Sequence, residues 1–464
     1  MQGNADRNLA FAFALISFVI RIPFCIAAPG FDPDSYLFLF KAVQSVETGQ
    51  YIPSRPPGYI VADHIGHLLA LHGWLYLNLL TSLTQSLTIP IFATILRELQ
   101  VPYRNWALFL YAFLPLHLIA YADVMIEYPL MLLGILLGWL YAIRGNYIIS
   151  ALLIGAGAAI RPSQGIFIAA IFALFFIKHF GWRVFASWIS FSGLMLLLLW
   201  VLPTAWLVDY RMIFDYLPYP FEIVQYAKHI ALRFIGPFGI LPLLALAYGF
   251  LRYNQGIWKR LRNDIHLPLS LLIVAVIVAT FFRHPFKTNY LLVALPFLFY
   301  AVFTVFEERL IKVFTILSLI HGFISVPSMP QCSPLRVADV GVIIADYYDR
   351  KILRSEAYHM LETVPSKSIV FVTQNTFYLL SYDALRNKKA AYEIIKSSII
   401  YDRYLDKWFT TVCDDRTTKL INDKFKNYKI FSTDAWYRRS PDIKKLKQLG
   451  VLHRVHRLDT SRCL

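Results

Sequence analysis

The chain has 464 residues, of which 57% are hydrophobic and only 16% are charged, and its mean hydropathy is +0.52. A soluble protein of this size cannot enclose so much apolar surface, because its core still needs a mixed polar shell. The composition therefore excludes an ordinary soluble protein and predicts an α-helical polytopic membrane protein. In such a protein a net charge of +16 is more typical of contact with anionic headgroups or phosphates than of nucleic-acid binding.

Apolar segments recur along the first 327 residues, and a spanning helix needs about 20 apolar residues. We predict about 11 spans, at 9–29, 74–96, 104–121, 128–143, 147–160, 163–178, 184–206, 231–251, 267–282, 288–306 and 310–327. Most of the short-loop Lys and Arg residues lie in 97–104, 144–145, 178–183, 252–262 and 307–312. The positive-inside rule makes these connections and the N-terminus cytoplasmic, and an odd span count then places the C-terminal domain outside. Since the chain has no Asn-x-Ser/Thr sequon, we expect a prokaryotic plasma membrane, with the ER membrane as the alternative.

The first outer loop, 30–73, begins with "FDPDSY", two acids on either side of Pro33. A short amphipathic helix is predicted at 35–46, and its aromatic and apolar faces suit a segment lying along the membrane interface. Pro33 breaks helix geometry between Asp32 and Asp34, so both carboxylates would point into a common cavity. The alternative is that Asp34 only caps the helix.

A second acidic element, "YADVMIEYP", lies between the third and fourth predicted spans. Asp123 and Glu127 are four residues apart and would share one face of a helix. Two like charges there need a cation, a metal ion or a set of sugar hydroxyls between them. The alternative is a solvated loop.

Five cationic side chains stand at outer ends of predicted spans, each in a stretch that contains proline: Arg55, Arg161, Arg283, His284 and Lys287. Arginine forks match phosphate oxygens, and lysine acts as a point charge. Each cation alone is more typical of a side chain that reaches the headgroups. Together with carboxylates on the same side, they suit transfer from a lipid-linked phosphate donor. The cations would hold the leaving phosphate, and one carboxylate would take the proton of the attacking acceptor in a single inverting displacement.

The C-terminal residues 328–464 predict a small extracytoplasmic α/β domain that follows a Pro/Ser-rich linker at 325–334. Helical spacing occurs at 347–364 and 417–428, and strand-like patterns occur at 368–373 and 451–458. This divides the chain into a transmembrane catalytic domain, 1–327, and the α/β domain.

The layout of an N-terminal span, an outer loop with Asp-Ser-Tyr, an interfacial helix and "GQYIPSRPPGY" resembles a known family. It is similar to the polyprenyl-phosphate-sugar-dependent glycosyltransferases of the GT-C superfamily, of the protein O-mannosyltransferase and aminoarabinose-transferase type. "IEYPLMLLGILLGWLYA" (126–142) resembles their second acidic element, and "LLIGAGAAIRPSQGIFIAAIFAL" (152–174) resembles their Gly/Ala-rich pair of spans. "KTNYLLVALPFLFYAVFTVFEE" (287–308) is similar to their late span with a basic entry. The resemblance covers roughly 10–310.

The resemblance implies an inverting membrane glycosyltransferase of the cell envelope that acts on the outer side. Its base would be the first-loop acid, for which "DSY" favours Asp34 and leaves Asp32 as the rival. Glu127, with Asp123, would assist at the acceptor or, with Asp34, bind a divalent metal ion. The residues implied at the donor phosphate are Arg55, Arg161, Arg283, His284, Lys287 and Tyr290. The acceptor would be a protein, a lipid or a glycan, and the other contacts would be membrane lipids.

Two other functions compete with this one. A lipid-linked sugar flippase or secondary transporter predicts inverted repeats and charges at the membrane midplane. The sequence has no internal repeat, although Arg21 lies inside the first predicted span. A non-catalytic membrane scaffold for glycan assembly would make the charged residues incidental.

Overall fold

The computed structural model describes residues 2–30, 32–208, 211, 223–230, 239–283, 288–322, 343–387, 390–391, 399–402, 405–411, 419, 427–433 and 455–458. These residues are mostly helical and include one small sheet. Contacts divide the chain into two units. The helical unit comprises Met1–Ile26, Pro53–Ile65 and Leu75–Tyr347. The sheet unit comprises Ala27–Ile52, Gly66–Trp74 and Tyr348–Leu464.

The helices follow the apolar segments of the sequence. In chain order they are α1 (Gln2–Ala27), α2 (Pro33–Thr48), α3 (Ile60–Ala70), α4 (Trp74–Glu98), α5 (Arg104–Phe113), α6 (Pro115–Ala120), α7 (Glu127–Ile143), α8 (Tyr147–Ile160), α9 (Pro162–Leu196), α10 (Leu202–Leu207), α11 (Ile223–Ile230), α12 (Ile240–Asn263), α13 (His266–Arg283), α14 (Leu295–Val305), α15 (Glu308–His321), α16 (Ile343–Thr363) and α17 (Gln374–Arg386). A π-helical turn, Leu197–Val201, joins α9 to α10, and a 3-10 helix, Thr288–Ala294, precedes α14.

Among the described residues, five helical segments are long and apolar enough to cross a membrane, which confirms the helical membrane-protein class. They are Asp6–Ala27, Trp74–Glu98, Pro162–Leu207, His266–Arg283 and Thr288–Val305. The 46 residues of Pro162–Leu207 contain two predicted spans, 163–178 and 184–206. Gly181 separates them with φ 82° and ψ 173°, a conformation that glycine adopts readily. The total of about 11 spans stays a prediction.

The Gly/Ala-rich helix α8 packs between α7 and α9 in the helical unit. A Cβ atom added at Gly165 would lie 2.4 Å from Ala158 Cα, and one added at Gly155 would lie 2.5 Å from the Ser192 carbonyl oxygen. Small residues therefore let these backbones approach closely, as in other membrane helix pairs. This tight packing fixes the α8–α9 junction, where Arg161 stands.

The sheet unit contains a six-stranded mixed sheet. Its strands are β1 (Ser368–Phe371), β2 (Ala390–Ala391), β3 (Ile399–Asp402), β4 (Lys407–Thr410), β5 (Lys429–Thr433) and β6 (Val455–Leu458). The order is β2-β3-β4-β1-β5-β6, with β4, β1, β5 and β6 parallel to one another and β2 and β3 antiparallel to their neighbours. The helix α16 and the strands β1 and β6 occur where the sequence predicted them. The predicted helix 417–428 lies almost entirely outside the described residues.

The sheet unit includes α2, because the aromatic face of this helix packs against α17. The Phe40 ring stacks on Tyr378 with ring centroids 5.9 Å apart, and it meets Phe377 edge-on at 6.4 Å. Tyr36, Phe38, Leu39 and Phe40 are all buried. Protein therefore covers this aromatic face, and the position of α2 along the membrane interface stays a prediction. The sequence did not predict α3 in the first outer loop.

Candidate functional site: a buried arginine–glutamate cluster beside an open pocket

The helical unit holds a buried ionic cluster of Arg55, Glu127 and Arg161, called here the arginine–glutamate cluster. Glu127 Oε1 accepts hydrogen bonds from Arg55 Nη2 at 2.5 Å and from Arg161 Nη1 at 3.3 Å. Glu127 is fully buried, and Arg161 is 1% exposed. One carboxylate thus accepts hydrogen bonds from two guanidinium groups.

The local sequence places all three side chains. Pro162 disfavours helical geometry at the residue before it, and Arg161 has φ −136° and ψ 79° between α8 and α9. Glu127 is the first residue of α7, where the helix dipole stabilises a negative charge. Arg55 lies in a turn closed by the Gly58 N–H, which donates to the Arg55 carbonyl at 2.9 Å.

Arg161 is held by protein groups on every nitrogen. Besides Glu127, its Nη2 donates to the Tyr128 hydroxyl at 2.8 Å and its Nε donates to Gln164 Oε1 at 3.2 Å. Its guanidinium lies 3.6 Å from the centroid of the Tyr128 ring and 5.4 Å from those of Tyr59 and Tyr290. These contacts favour a role as a fixed source of charge over the direct phosphate contact that the sequence predicted.

A pocket of about 250 Å³ lies beside the cluster and is called the Arg283 pocket. Its lining residues are Pro57, Pro162, Ser163, Gln164, Ile166, Phe167, Trp200, Thr280, Arg283 and Tyr290. Gln164 connects it to the cluster, because its side chain bonds both Arg161 Nε and, at 2.8 Å, the Tyr290 carbonyl. Arg283, exposed at the end of α13, makes no ion pair with a described residue. The Ser163 hydroxyl and the Trp200 indole N–H are buried without a hydrogen-bond partner among the described residues.

Tyr290 was predicted at the phosphate site together with His284 and Lys287. Tyr290 lies on the 3-10 helix and lines the Arg283 pocket. His284 and Lys287 lie outside the described residues. The structure therefore brings Arg55, Arg161, Arg283 and Tyr290 into one region of the helical unit.

The two acids of "FDPDSY" have different surroundings in the sheet unit. Asp32 is the N-cap of α2, with its Oδ1 accepting from the Asp34 N–H at 2.9 Å and Pro33 in the first helical position. The capping residue is therefore Asp32. The alternative interpretation, in which Asp34 only caps this helix, is wrong. Asp34 is half-buried in the first turn. Burial raises the pKa of Tyr378 on α17, and the negative charge of Asp34 raises it further.

Asp123 does not share a helical face with Glu127, so that prediction is wrong. α6 ends at Ala120 and α7 begins at Glu127, and Asp123 Oδ1 accepts from the Met125 N–H at 3.1 Å in the turn between them. Aspartate competes with helix geometry through such local bonds. The positive charge beside Glu127 comes from two arginines, Arg55 and Arg161.

Within the described residues there is no group of three or more His, Cys, Asp or Glu side chains that could hold a metal ion. A metal ion bound by Asp34 or Glu127 stays a prediction.

Two stretches of the first outer loop, those within Ala27–Ile52 and Gly66–Trp74, belong to the sheet unit and contact α17 there. At the end of α3, the Tyr382 hydroxyl donates to the Ala70 carbonyl at 2.9 Å. Arg386 donates from Nε to the Leu71 carbonyl at 2.9 Å and from Nη2 to the His72 carbonyl at 3.1 Å. These bonds satisfy carbonyls that a helix end leaves unpaired. Since Phe40 of α2 packs on the same helix, α17 holds both α2 and the end of α3.

Sequence reasoning missed the partners that fix the cluster: Tyr59, Tyr128 and Gln164. Each stands within four residues of a cation or carboxylate that was predicted. Comparison of the chain with protein-family models, curated proteins and solved structures returns no match in any of the three.

Proposed function

We propose that the chain is a GT-C-like membrane glycosyltransferase that transfers a sugar from a polyprenyl-phosphate-linked donor to an acceptor with inversion. The observation that carries this proposal is the Arg283 pocket, which combines apolar walls with a cation and adjoins the buried arginine–glutamate cluster. A polyprenyl-phosphate sugar matches this pocket, because its long apolar chain would contact the apolar walls and its phosphate would contact the cation.

The donor would bind with its prenyl chain along Ile166 and Phe167, whose side chains are partly exposed on the outer wall of the pocket. Its phosphate would face Arg283, whose fork suits phosphate oxygens. Negative charge develops on this phosphate as the bond to the sugar breaks. Arg55 and Arg161, fixed in place before the reaction, would stabilise that charge electrostatically.

The base in this proposal is Asp34. It takes a proton from an acceptor hydroxyl or amine as that group attacks the anomeric carbon, and polyprenyl phosphate leaves with the electron pair of the broken C–O bond. The capping role of Asp32 supports the choice between the two acids. The acceptor is a protein, a lipid or a glycan on the outer side of a membrane, which we infer is a prokaryotic plasma membrane. About 11 spans, a cytoplasmic N-terminus and an external α/β domain belong to the same proposal.

A lipid-linked sugar flippase or transporter is the second candidate, and Arg21 favours it. Arg21 is fully buried within α1, and its Nη1 donates to the Ser86 hydroxyl of α4 at 3.0 Å. Ionisable side chains inside a membrane span often mark a transport path.

The test is transfer from radiolabelled polyprenyl-phosphate sugars by the purified full chain, with Asp34→Asn and Asp32→Asn as a matched pair. Asparagine caps a helix as well as aspartate does, so Asp32→Asn keeps most of the activity. Loss of the base lowers the rate about 10²–10⁴-fold in Asp34→Asn. Equal transfer by all three proteins overturns the assignment of the base.

A vesicle assay separates the two candidate functions. If no donor is consumed while labelled lipid-linked sugar crosses vesicles that contain the wild type, and Arg21→Met stops the crossing, the transporter replaces the transferase. Arg283→Gln is expected to raise the KM for the donor more than it lowers kcat.

A further inference from the structure

A second pocket, called the Arg97 pocket, lies in the helical unit between α1, α4 and α5 and has a volume of about 170 Å³. Its polar lining is Asp6, Arg7, Thr94, Arg97, Arg104 and Asn105, and its apolar lining is Ala10, Phe11, Pro90, Ala93, Leu96 and Leu108. The predicted function gives this pocket no role.

The Arg97 pocket lies at the far end of α1 and α4. These helices run antiparallel, because Arg21 contacts Ser86 and the Cys25 sulfur lies 3.2 Å from the Ser82 hydroxyl. The Ser82 hydroxyl donates to the Tyr121 carbonyl at 2.9 Å, at the start of the turn that leads to Glu127. Arg97 follows Ser82 by about four turns of α4, or about 22 Å along the helix axis. This distance is most of a bilayer's hydrocarbon thickness. In the predicted topology, which puts Glu127 at the outer boundary, the pocket would therefore lie near the cytoplasmic boundary.

The cations of this pocket are not balanced by the carboxylates near them. Arg104 Nη2 pairs with Asp6 Oδ2 at 2.5 Å. Arg97 lies 3.9 Å from Glu98 Oε1, which Arg144 approaches more closely, at 2.9 Å. Arg7 has no acidic partner among the described residues. Arg7 and Arg97, whose only carboxylate contact among the described residues is the long one from Arg97 to a Glu98 that Arg144 also pairs, can therefore attract an anion.

We propose that the Arg97 pocket binds an anionic glycerophospholipid. The lipid phosphate lies between Arg7 and Arg97, and the first part of an acyl chain follows Phe11, Pro90 and Ala93. Lipid is favoured over free phosphate because half of the lining is apolar and because Phe11, 54% exposed, continues the pocket onto the apolar surface of α1. Basic residues at a membrane surface attract anionic lipids in this way. The proposal does not depend on the glycosyltransferase reaction.

The experiment is native mass spectrometry of the full chain in detergent, titrated with phosphatidylglycerol or phosphatidylcholine. The test variant is Arg7→Gln with Arg97→Gln. The matched control is Arg183→Gln with Arg309→Gln, which removes the same charge from exposed arginines of two other connections that we predict to be cytoplasmic. The wild type binds phosphatidylglycerol more tightly than phosphatidylcholine. The test variant loses about 25-fold in affinity, about fivefold for each arginine, and the control changes less than twofold.

The proposal is overturned if the test variant binds phosphatidylglycerol like the wild type or if phosphatidylcholine binds equally tightly. It is also overturned if inorganic phosphate displaces the lipid from the wild type, since free phosphate is then the ligand. Should the double variant fail to fold, Arg7→Gln alone gives the same test with about a fivefold loss. Arg7 is exposed and has no acidic partner among the described residues. Phe11→Ala weakens a long-chain phosphatidylglycerol but leaves a short-chain one unchanged.

Discussion

The arginine–glutamate cluster and the Arg97 pocket both combine arginines with a carboxylate, but they differ in how deeply these side chains are buried and in how many protein partners they have. In the first, Arg161 and Glu127 are almost completely buried and Arg161 has a protein partner on each nitrogen. In the second, the Arg104–Asp6 pair has side chains that are 38% and 26% exposed. Counting charges therefore does not distinguish a cation with a structural role from one that can bind a ligand. The burial of the side chain and its protein partners do distinguish them. Four substitutions test this difference between buried, bonded cations and exposed ones.

Glu127→Gln is expected to have the largest effect. It removes the one carboxylate that Arg55 and Arg161 share and leaves two buried guanidinium groups facing a neutral amide. Breaking a buried ion pair in this way costs about 3–5 kcal/mol. Thermal unfolding in detergent should show a large fall in melting temperature. Unchanged stability would mean that water or lipid already screens the cluster.

Arg161→Lys comes next. Lysine keeps the charge but cannot bond Glu127, Tyr128 and Gln164 together, because it lacks the planar fork. We expect a loss of about 2–3 kcal/mol, since one or two charge-assisted hydrogen bonds disappear. Arg283→Lys is the control, because the exposed Arg283 has no such set of partners among the described residues, and the melting temperature of this variant should not change. Equal melting temperatures for the wild type and Arg161→Lys would show that only the charge matters at the α8–α9 junction.

Arg386→Ala tests an arginine that is half-buried and bonded to backbone carbonyls. Its two hydrogen bonds to the Leu71 and His72 carbonyls should contribute about 1–2 kcal/mol. Hydrogen exchange is the direct measurement: amides of Gly66–Trp74 should exchange faster, while those of α8 stay unchanged. The same exchange rate in both proteins would mean that Tyr382 and the packing of Phe40 hold the loop without Arg386.

The sequence predicted most helix positions, because apolar length is a local property that each segment carries by itself. It also predicted the break at Arg161, since Pro162 acts on its immediate neighbour. It failed at Asp123, because a spacing of four residues implies one face only if the helix is continuous, and the bond to the Met125 N–H belongs to a turn. It could not identify the partner of α2, because amphipathicity shows that a face is covered but not by what. It could not predict the cluster either, because Arg55, Glu127 and Arg161 are far apart in the chain and meet only in the folded structure.

Asp6→Asn should have the smallest effect on stability. A small effect here, beside the large one of Glu127→Gln, would distinguish the Arg97 pocket from the arginine–glutamate cluster. The Arg104–Asp6 pair is short at 2.5 Å, but water reaches both side chains and screens their attraction, so its loss should cost less than about 1 kcal/mol. The melting temperature should therefore stay near that of the wild type, and high salt should remove the remaining difference. At the same time the substitution frees Arg104, so the affinity for phosphatidylglycerol should rise about fivefold. A destabilised protein with unchanged lipid affinity would show instead that this pair is structural and that the two regions are built alike.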